Sequence, residues 1–307
     1  MEENNPQGRG LRWNIAQRLE FIEFRLVWEG RVNRSDIADR FGVTLQQASA
    51  DLALYESTAP TNIAYDRNAK TFLAARSFVP HFLREVSDRQ LLQLSSIAAG
   101  LVEREDTWFG ELPPVGVLPV PQRSVSTKVV RSILEAIRNR AAVEIEYQSL
   151  KRPDAIRRMV EPHALAHNGI RWHIRAWCPK NNAFRDFVLS RITGTGEFAP
   201  RTVDPLFDRE WFDEIELLLA PNPALSDGAR RSLVKEYGMT RGRLRLVTRV
   251  ALAFYLIQHL NLDLDLPPER QQLVLLNKEA VDKACKDALA ACSSALAGRD
   301  AQSRSDE

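Results

Sequence analysis

The sequence has few cysteines, no long apolar run and almost no net charge, and each of these deficits excludes a class of protein. Three cysteines in 307 residues cannot form a disulfide framework. No stretch approaches the roughly 18 consecutive apolar residues of a membrane span, and the polar start, MEENNPQGRG, lacks the apolar centre of a signal peptide. A net charge of +2 with 44% hydrophobic residues is typical of a globular protein. We therefore expect a cytoplasmic protein with no membrane partner.

The common motifs of catalysis and metal binding are also missing. The sequence has no glycine-rich phosphate loop, no His-Glu-x-x-His and no Cys-x-x-Cys pair. Its five histidines do not recur at the spacing of metal ligands on a helix. Cys285 and Cys292 share a face of a predicted helix, where burial of small residues is the simpler interpretation. We therefore expect no catalytic residues, no metal site and no resident cofactor, and a nucleotide-processing enzyme is the weakest of three functional hypotheses.

The N-terminal part of the chain shows the pattern of a helix-turn-helix. Apolar residues at helical spacing predict a first helix over Trp13–Trp28. Ser35 is placed to cap a short helix, Asp36–Phe41, and Thr44 is placed to cap a second helix, Leu45–Tyr55. Two short helices separated by a tight turn, after a longer helix, are the arrangement that presents a recognition helix to the major groove of DNA.

A predicted hairpin follows the second short helix, where a winged helix carries its wing. Its strands are Asn62–Tyr65 and Lys70–Ala74. The side chain of Gln47 either contacts a base or completes a capping box with Thr44, and the spacing leaves both roles open. The predicted DNA-contacting residues lie at the starts of the two helices and at the hairpin tip: Arg34, Ser35, Thr44, Gln46, Gln47, Ser49, Ala50, Arg67, Asn68 and Lys70.

The middle of the chain carries an excess of positive charge. Between Arg123 and Arg191 there are 14 lysines and arginines and six acidic residues, a net charge of +8. Such an excess favours an anionic ligand, although solvated or paired arginines on an ordinary barrel explain it equally well. Four short runs predict strands: Val143–Ser149, Arg158–Leu165, Ile170–Cys178 and Phe184–Leu189. Because successive strand residues point to opposite faces, Arg171, His173 and Arg175 are expected to share one face.

The remaining segments complete the predicted domain organisation. We expect disorder over residues 1–10 and after Gly298, a helix over Ser87–Glu103, and an extended linker over Thr107–Val125. The C-terminal part alternates predicted helices and strands, and Trp211–Leu219 fits either. The predicted domains are a winged helix-turn-helix over 11–80, a helical connector and linker over 81–126, a ligand-sensing domain over 127–200 and an α+β extension over 201–298.

Two parts of the sequence resemble known families. The triplet Trp172-His173-Ile174, followed by Phe187-Val188-Leu189-Ser190-Arg191-Ile192, resembles the WYL domain, although His173 and Ile174 replace the Tyr and Leu of the family triplet. The run from Gln47 to Lys70 resembles the winged helix of BrxR/CapW-type repressors. This resemblance implies a multidomain α+β fold with an N-terminal winged helix-turn-helix, a central Sm-like β-barrel and a C-terminal dimerisation domain.

The leading hypothesis follows from these resemblances. They imply a homodimeric, sequence-specific repressor of a phage-defence operon that binds an inverted repeat in double-stranded DNA. A nucleotide or oligonucleotide effector would bind the WYL domain through an anion-binding set: Tyr147, Ser149, His163, Arg171, His173, Arg175, Arg185 and Arg191. The alternative is an RNA- or oligonucleotide-binding accessory protein that acts through the barrel. That alternative stays open because residues 1–80 contain ten basic and ten acidic residues, whereas a strong DNA binder is usually basic.

Overall fold

The computed structural model describes residues 13–83, 87–119, 121 and 123–305, with side chains as far as residue 297. The predicted disorder of residues 1–10 lies outside these described residues. The chain divides into two units, residues 1–121 and 122–307, and each has its own apolar core. None of the helices in the described part of the chain is both long enough and apolar enough to cross a bilayer.

The first unit is a winged helix. Its elements are α1 (Trp13–Glu29), β1 (Arg31–Val32), α2 (Arg34–Phe41), α3 (Leu45–Thr58), β2 (Ile63–Asp66), β3 (Thr71–Ala74) and α4 (Ser87–Ala98). The strands form an antiparallel sheet in the order β1-β3-β2. The predicted helix-turn-helix and hairpin are therefore confirmed. Strand β1 was not predicted, because two residues are too few to show an alternating pattern.

The core of this unit explains why α2 and α3 pack on α1. Leu19, Ile22 and Leu26 recur at helical spacing on α1 and are completely or almost completely buried, together with Ala48 and Leu52 of α3. Gly42 ends α2 at φ +63°, a left-handed conformation that glycine adopts without a steric cost. The short turn that follows leads directly into α3.

The cap of α2 differs from the prediction. The N-cap is Asn33, whose backbone is extended, and Ser35 is the second residue of the helix. The backbone N–H of Asn33 donates to the Asp36 carboxylate at 2.7 Å. The Asp36 carboxylate, three positions after the cap, therefore satisfies a backbone N–H at the start of the helix. With Asn33 as the cap, α2 begins at Arg34, two residues earlier than the start predicted from a cap at Ser35.

The predicted linker after α4 is wrong at its beginning. Thr107 and Phe109 are buried, and the rings of Trp108 and Phe109 lie 5.6 and 5.0 Å from the ring of Phe24 on α1. Edge-to-face aromatic contacts and the burial of large rings stabilise this docking. The helix before it is also shorter than predicted, since α4 ends at Ala98 and not at residue 103. A count of prolines and glycines does not reveal that a neighbouring aromatic pair belongs to a core.

The second unit contains a five-stranded and a three-stranded antiparallel sheet. Its elements are α5 (Thr127–Arg138), β4 (Ala141–Tyr147), β5 (Ile156–His167), β6 (Trp172–Cys178), β7 (Ala183–Val188), β8 (Ile192–Pro200), α6 (Arg209–Phe212), β9 (Glu214–Pro221), α7 (Asp227–Glu236), β10 (Leu244–Arg249), α8 (Val250–His259), β11 (Leu273–Leu275) and α9 (Lys278–Ser305). The sheet orders are β7-β6-β5-β4-β8 and β10-β9-β11. Val129, Ile133 and Ala136 form the buried face of α5 against the larger sheet.

Three expectations for this unit change. The larger sheet is open, because β7 and β8 are its edges and do not pair with each other within the described residues, so the closed Sm-like barrel is not confirmed. The segment Trp211–Leu219 contains both predicted alternatives, the end of α6 and most of β9. The disorder predicted after Gly298 is not found in the described residues, because the backbone of α9 continues as a helix to Ser305, and residues 306–307 lie outside them. A single glycine costs a helix only about 1 kcal/mol and does not necessarily end it.

Candidate DNA interface and effector site

The first turns of α2 and α3 and the β2–β3 hairpin surround one concave surface of about 610 Å³. Its lining contains Asn33, Arg34, Ser35, Leu45, Ser49, Leu52, Tyr65, Lys70 and Phe72. Four predicted DNA-contacting residues are thus brought together, namely Arg34, Ser35, Ser49 and Lys70. Thr44, Gln46, Gln47 and Ala50 are exposed at the start of α3, and Arg67 and Asn68 are exposed at the hairpin tip.

The start of α3 is fixed to α1 by a buried ion pair. The Thr44 hydroxyl caps the helix by accepting from the backbone N–H of Gln47 at 3.1 Å. The side-chain amide of Gln47 donates to Asp51 at 3.1 Å and does not complete a capping box. Asp51 in turn accepts two hydrogen bonds from Arg18 of α1, at 2.6 and 3.1 Å, and both side chains are almost fully buried. The bond to Asp51 uses one N–H of the Gln47 amide, and the other N–H and the carbonyl oxygen remain available to a base.

The second half of α3 is fixed by a buried carboxylate. Glu23 of α1 is fully buried and accepts a hydrogen bond from the Tyr55 hydroxyl at 2.9 Å. The same carboxylate accepts from the backbone N–H groups of His81 at 2.7 Å, of Phe82 and of Leu83. Burial, together with the charge of Glu23, raises the pKa of Tyr55 well above its usual range, so the hydroxyl stays a donor. Glu23 thereby joins α1, α3 and the segment after the hairpin.

Sequence reasoning missed two exposed residues of the concave surface. Leu45 is 52% exposed and Tyr65 is 51% exposed, and both line it. The ring of Tyr65 rests 4.9 Å from that of Phe72. Apolar side chains at a DNA-facing position contact thymine methyl groups. The exposure of Leu45 could have been predicted from its position, because the first residue after a helix cap has little access to the core.

The predicted anion-binding set is divided between the two faces of the larger sheet. In the β6–β7 register, Arg175 lies opposite Asp186 and Ala176 lies opposite Arg185. Directly paired residues share a face and neighbours along a strand alternate, so Arg185 lies on the face opposite to Arg175 and His173. The expectation that the arginines of the anion-binding set form one surface is therefore wrong for Arg185. The sequence alone does not show how β6 and β7 align, and this alignment decides the face of Arg185.

The hydroxyls of two further members of the set have partners within the protein. Tyr147 is buried in the core on the Ile174 face, and its hydroxyl accepts from the backbone N–H of Val188 at 3.3 Å. The Ser149 hydroxyl accepts from the backbone N–H of Lys151 at 3.1 Å, within the turn after β4. These contacts give both hydroxyls a structural role in this unit.

The guanidinium of Arg175 is bound by three carboxylates. Its side chain is almost fully buried, with Nε 2.7 Å from Asp208, one terminal nitrogen 2.7 Å from Glu210 and the other 3.3 Å from Asp186. His163 contacts Asp208 through Nε2 at 2.9 Å. Although burial lowers the pKa of Arg175, its contacts with Asp208 and the neighbouring acids raise it overall. Arg175 and His163 thus connect the larger sheet to α6 and are not free to bind an anion.

One cluster near this network has the composition of a metal site. Polar atoms of Asp208, Glu210 and Cys292 lie within 4.8 Å of one another. Arg175 already binds both carboxylates, so the guanidinium supplies the positive charge that a cation would supply. The fully buried Asp208 has a lowered pKa because its bonds to Arg175 and His163 outweigh the effect of burial.

His173 is the centre of the remaining candidate effector site. It is 1% exposed, and its Nδ1 atom has no hydrogen-bond partner within the described residues. Its ring lies 5.1 Å from the ring of Tyr255 on α8. Burial lowers the pKa of His173, and the nearby charges of Arg171 and Arg191 lower it further, against the opposing effect of Asp186.

The two arginines at this site are available to an anion. Neither Arg171 nor Arg191 forms an ion pair with any carboxylate in the described ranges. Both carboxylate oxygens of Asp186 have other partners, because one faces Arg175 at 3.3 Å and the other accepts from the Tyr255 hydroxyl at 3.0 Å. Tyr255 was missed by sequence reasoning, since it lies more than 80 residues from His173 in a helix with no charge pattern of its own.

Comparison with known proteins gives three matching family models. They are the BrxR transcriptional regulator winged helix-turn-helix domain over residues 14–96, the WYL domain over 128–197 and the BrxR transcriptional regulator C-terminal dimerization domain over 214–281. The DNA-binding transcriptional repressor CapW of Stenotrophomonas maltophilia is 38% identical over 275 residues, which cover 88% of this chain and 92% of that protein.

Repressors of the same name from Escherichia coli (strain KTE188) and Pseudomonas aeruginosa are each 36% identical, covering 91% of this chain and 95% of their own length. The role in these names is not enzymatic, in agreement with the absence of catalytic motifs from the sequence. The chain belongs to the CapW family of DNA-binding transcriptional repressors, with a BrxR-type winged helix, a WYL domain and a C-terminal dimerisation domain.

Proposed function

We propose that the chain represses transcription as a homodimer that binds an inverted repeat in double-stranded DNA. Two copies of α3 would enter successive major grooves about 34 Å apart. The observation that carries this proposal is the concave surface around Arg34, Ser49 and Lys70, next to an α3 that is fixed to α1 at both halves. A rigidly held recognition helix limits the loss of conformational entropy on binding.

Within this surface the residues would divide into two roles. Arg34, Arg67 and Lys70 carry the exposed positive charges and would contact phosphates, which fixes register. Gln46, Ser49 and Leu45 lie exposed at the start of α3 and would contact base edges, with Leu45 against a thymine methyl group. The neutral charge of residues 1–80 means that base contacts and dimerisation must supply much of the operator affinity.

We also propose that a nucleotide or a short oligonucleotide binds at His173 and changes the affinity of the protein for operator DNA. The support is local: an unpartnered, buried Nδ1 atom lies near two arginines that lack a carboxylate partner in the described part of the chain. Arg191 and Arg171 would bind phosphate oxygens, for which a planar guanidinium is suited. Release of DNA requires that the ligand prefer one dimer geometry over the other.

The effector proposal is tested by release of operator DNA. Wild type is titrated on labelled operator in the presence of cyclic nucleotides, nucleoside phosphates or short single strands, beside Arg171→Ala/Arg191→Ala. The matched control is Arg185→Ala, an exposed arginine on the opposite face of the same sheet. We expect a probe that changes DNA binding by wild type and by the control, and no response from the double variant, whose operator affinity stays within about twofold. An equal response from the double variant would contradict the site.

The regulated operon is proposed to be a phage-defence operon, on the strength of the resemblance to BrxR/CapW-type repressors. A reporter driven by the promoter next to the protein's own gene should be low with wild type and rise on deletion of the gene. It should stay high when the deleted gene is replaced by a variant that cannot bind DNA. A reporter that falls on deletion would indicate activation and would contradict repression.

A further inference from the structure

Five arginines surround one turn in the C-terminal part of the second unit, away from the residues assigned above. The turn is Thr240–Arg243, which joins the end of α7 to β10. Arg241 and Gly242 adopt left-handed conformations at φ +52° and +71°, which close this tight hairpin turn. The arginines that line the two concave surfaces beside it are Arg230, Arg231, Arg241, Arg243 and Arg245.

The turn and strand hold three of these side chains in a defined arrangement. Arg243 and Arg245 are two residues apart, so they project on the same side at a spacing of about 7 Å, and Arg241 extends the row into the turn. The concave surface that the three arginines line has a volume of about 760 Å³. Arg230 and Arg231, in the helix before the turn, line the second concave surface together with Gly242.

Little of this charge is neutralised by the protein. Residues 227–249 contain seven basic and two acidic residues. Arg230 pairs with Asp227, and Arg245 has only a long, exposed contact of 3.5 Å with Glu216, their side chains being 70% and 43% exposed. Among the described residues Arg231, Arg241 and Arg243 have no ion pair. An exposed ion pair such as Arg245–Glu216 contributes little to stability, so Arg245 can readily exchange Glu216 for another anion.

We propose that this arginine surface, defined by the five residues above, binds the phosphodiester backbone of a nucleic acid. Two features support a contact with the backbone: the charges follow β10, which is an edge strand of its sheet, and the surface that they line is open to solvent. The winged helix has no net charge to give general affinity for a polyanion, whereas a row of arginines gains affinity by releasing counterions. The surface is separate from the effector site and does not depend on it.

The salt dependence of binding by the full-length protein tests this assignment. The probes are a duplex without operator sequence and a single-stranded oligonucleotide of the same length. The variant is Arg241→Asn/Arg243→Gln, with asparagine at the left-handed position because it tolerates that conformation. The control is Arg270→Gln/Lys286→Gln, which removes two exposed charges elsewhere in the same unit. Unchanged circular dichroism and melting temperature establish folding, and Arg231→Gln/Arg245→Gln replaces the first variant if the turn does not form.

The expected result is a smaller slope of log affinity against log salt. Each lost phosphate contact lowers the slope by about 0.9 on duplex DNA or about 0.7 on a single strand, so two contacts lower it by about 1.8 or 1.4. Affinity at low salt should fall roughly tenfold while the control keeps the wild-type slope. If the slope decreases for one probe alone, that probe shows whether the surface binds a duplex or a single strand. The proposal would be overturned if the variant and the control gave the same salt slope on both probes. The Arg171→Ala/Arg191→Ala variant leaves the arginine surface intact and should keep the wild-type slope, which separates this surface from the effector site.

Discussion

Replacing Arg175 by methionine should destabilise the second unit severely. The change removes the guanidinium that faces Asp208, Glu210 and Asp186 and leaves Asp208 charged with its side chain fully buried. Breaking a buried ion pair by removing one partner costs about 3 to 5 kcal/mol. Methionine retains most of the apolar volume of the side chain, so the cost arises from the uncompensated charges and not from a cavity.

Urea unfolding followed by tryptophan fluorescence measures this cost, because Trp177 and Trp211 lie in the same unit and Trp177 is buried. A loss of this size lowers the urea midpoint by about 1 to 3 M for a slope near 1.5 to 3 kcal/mol per molar. The matched variant is Arg175→Met/Asp208→Asn, which also removes the buried charge and should recover part of the loss. A shift below about 1 kcal/mol for Arg175→Met would refute the buried network and return Arg175 to the candidate ligand residues.

Three other predictions follow from single contacts. Arg18→Met should lower the stability of the first unit by about 3 to 5 kcal/mol, because Asp51 is left buried without its partner, and operator affinity should fall with the melting temperature. Asp36→Ala should cost about 1 kcal/mol in urea unfolding and Ser35→Ala less than about 0.5, because the Asp36 carboxylate accepts the backbone N–H of Asn33 at the start of α2; the reverse order would contradict this assignment. Burial lowers the pKa of His173, so its contribution to stability is full above the usual pKa near 6.5 and is lost as the pH falls through the lowered value. Melting temperatures measured from pH 7.5 down to 5 should therefore fall less for His173→Gln than for wild type.

The fold was predictable where it depends on residues that are close together in the sequence. Capping residues, a glycine stop and helical spacing predicted the helix-turn-helix, and short alternating or apolar-rich runs predicted four of the five strands of the larger sheet. The strand boundaries differ by a few residues, as for β5, which begins at Ile156 and extends to His167. The predicted domain organisation rested on the resemblance of two short motifs to known families, because a family motif implies the fold in which it occurs.

The arrangement of the candidate effector site was less predictable, because it depends on contacts between distant parts of the chain. Arg175 was predicted to bind an anionic effector, but its partners Asp208 and Glu210 lie more than 30 residues later in the chain. The register that turns Arg185 away from His173 is set by strand pairing and not by the sequence of either strand alone. The role of Glu23 was hidden for the same reason, since a carboxylate in an amphipathic helix is usually solvated.

The most direct test of the account is a binding titration on DNA immediately upstream of the protein's own operon, against scrambled DNA of equal length, at two salt concentrations. We predict that the dimer binds a palindromic site more tightly than scrambled DNA by a factor of about 10³ or more. Leu45→Ala should reduce this ratio without changing the salt dependence, because Leu45 carries no charge. Equal binding to both DNAs that is lost steeply with salt would contradict a sequence-specific repressor and would indicate electrostatic contact alone.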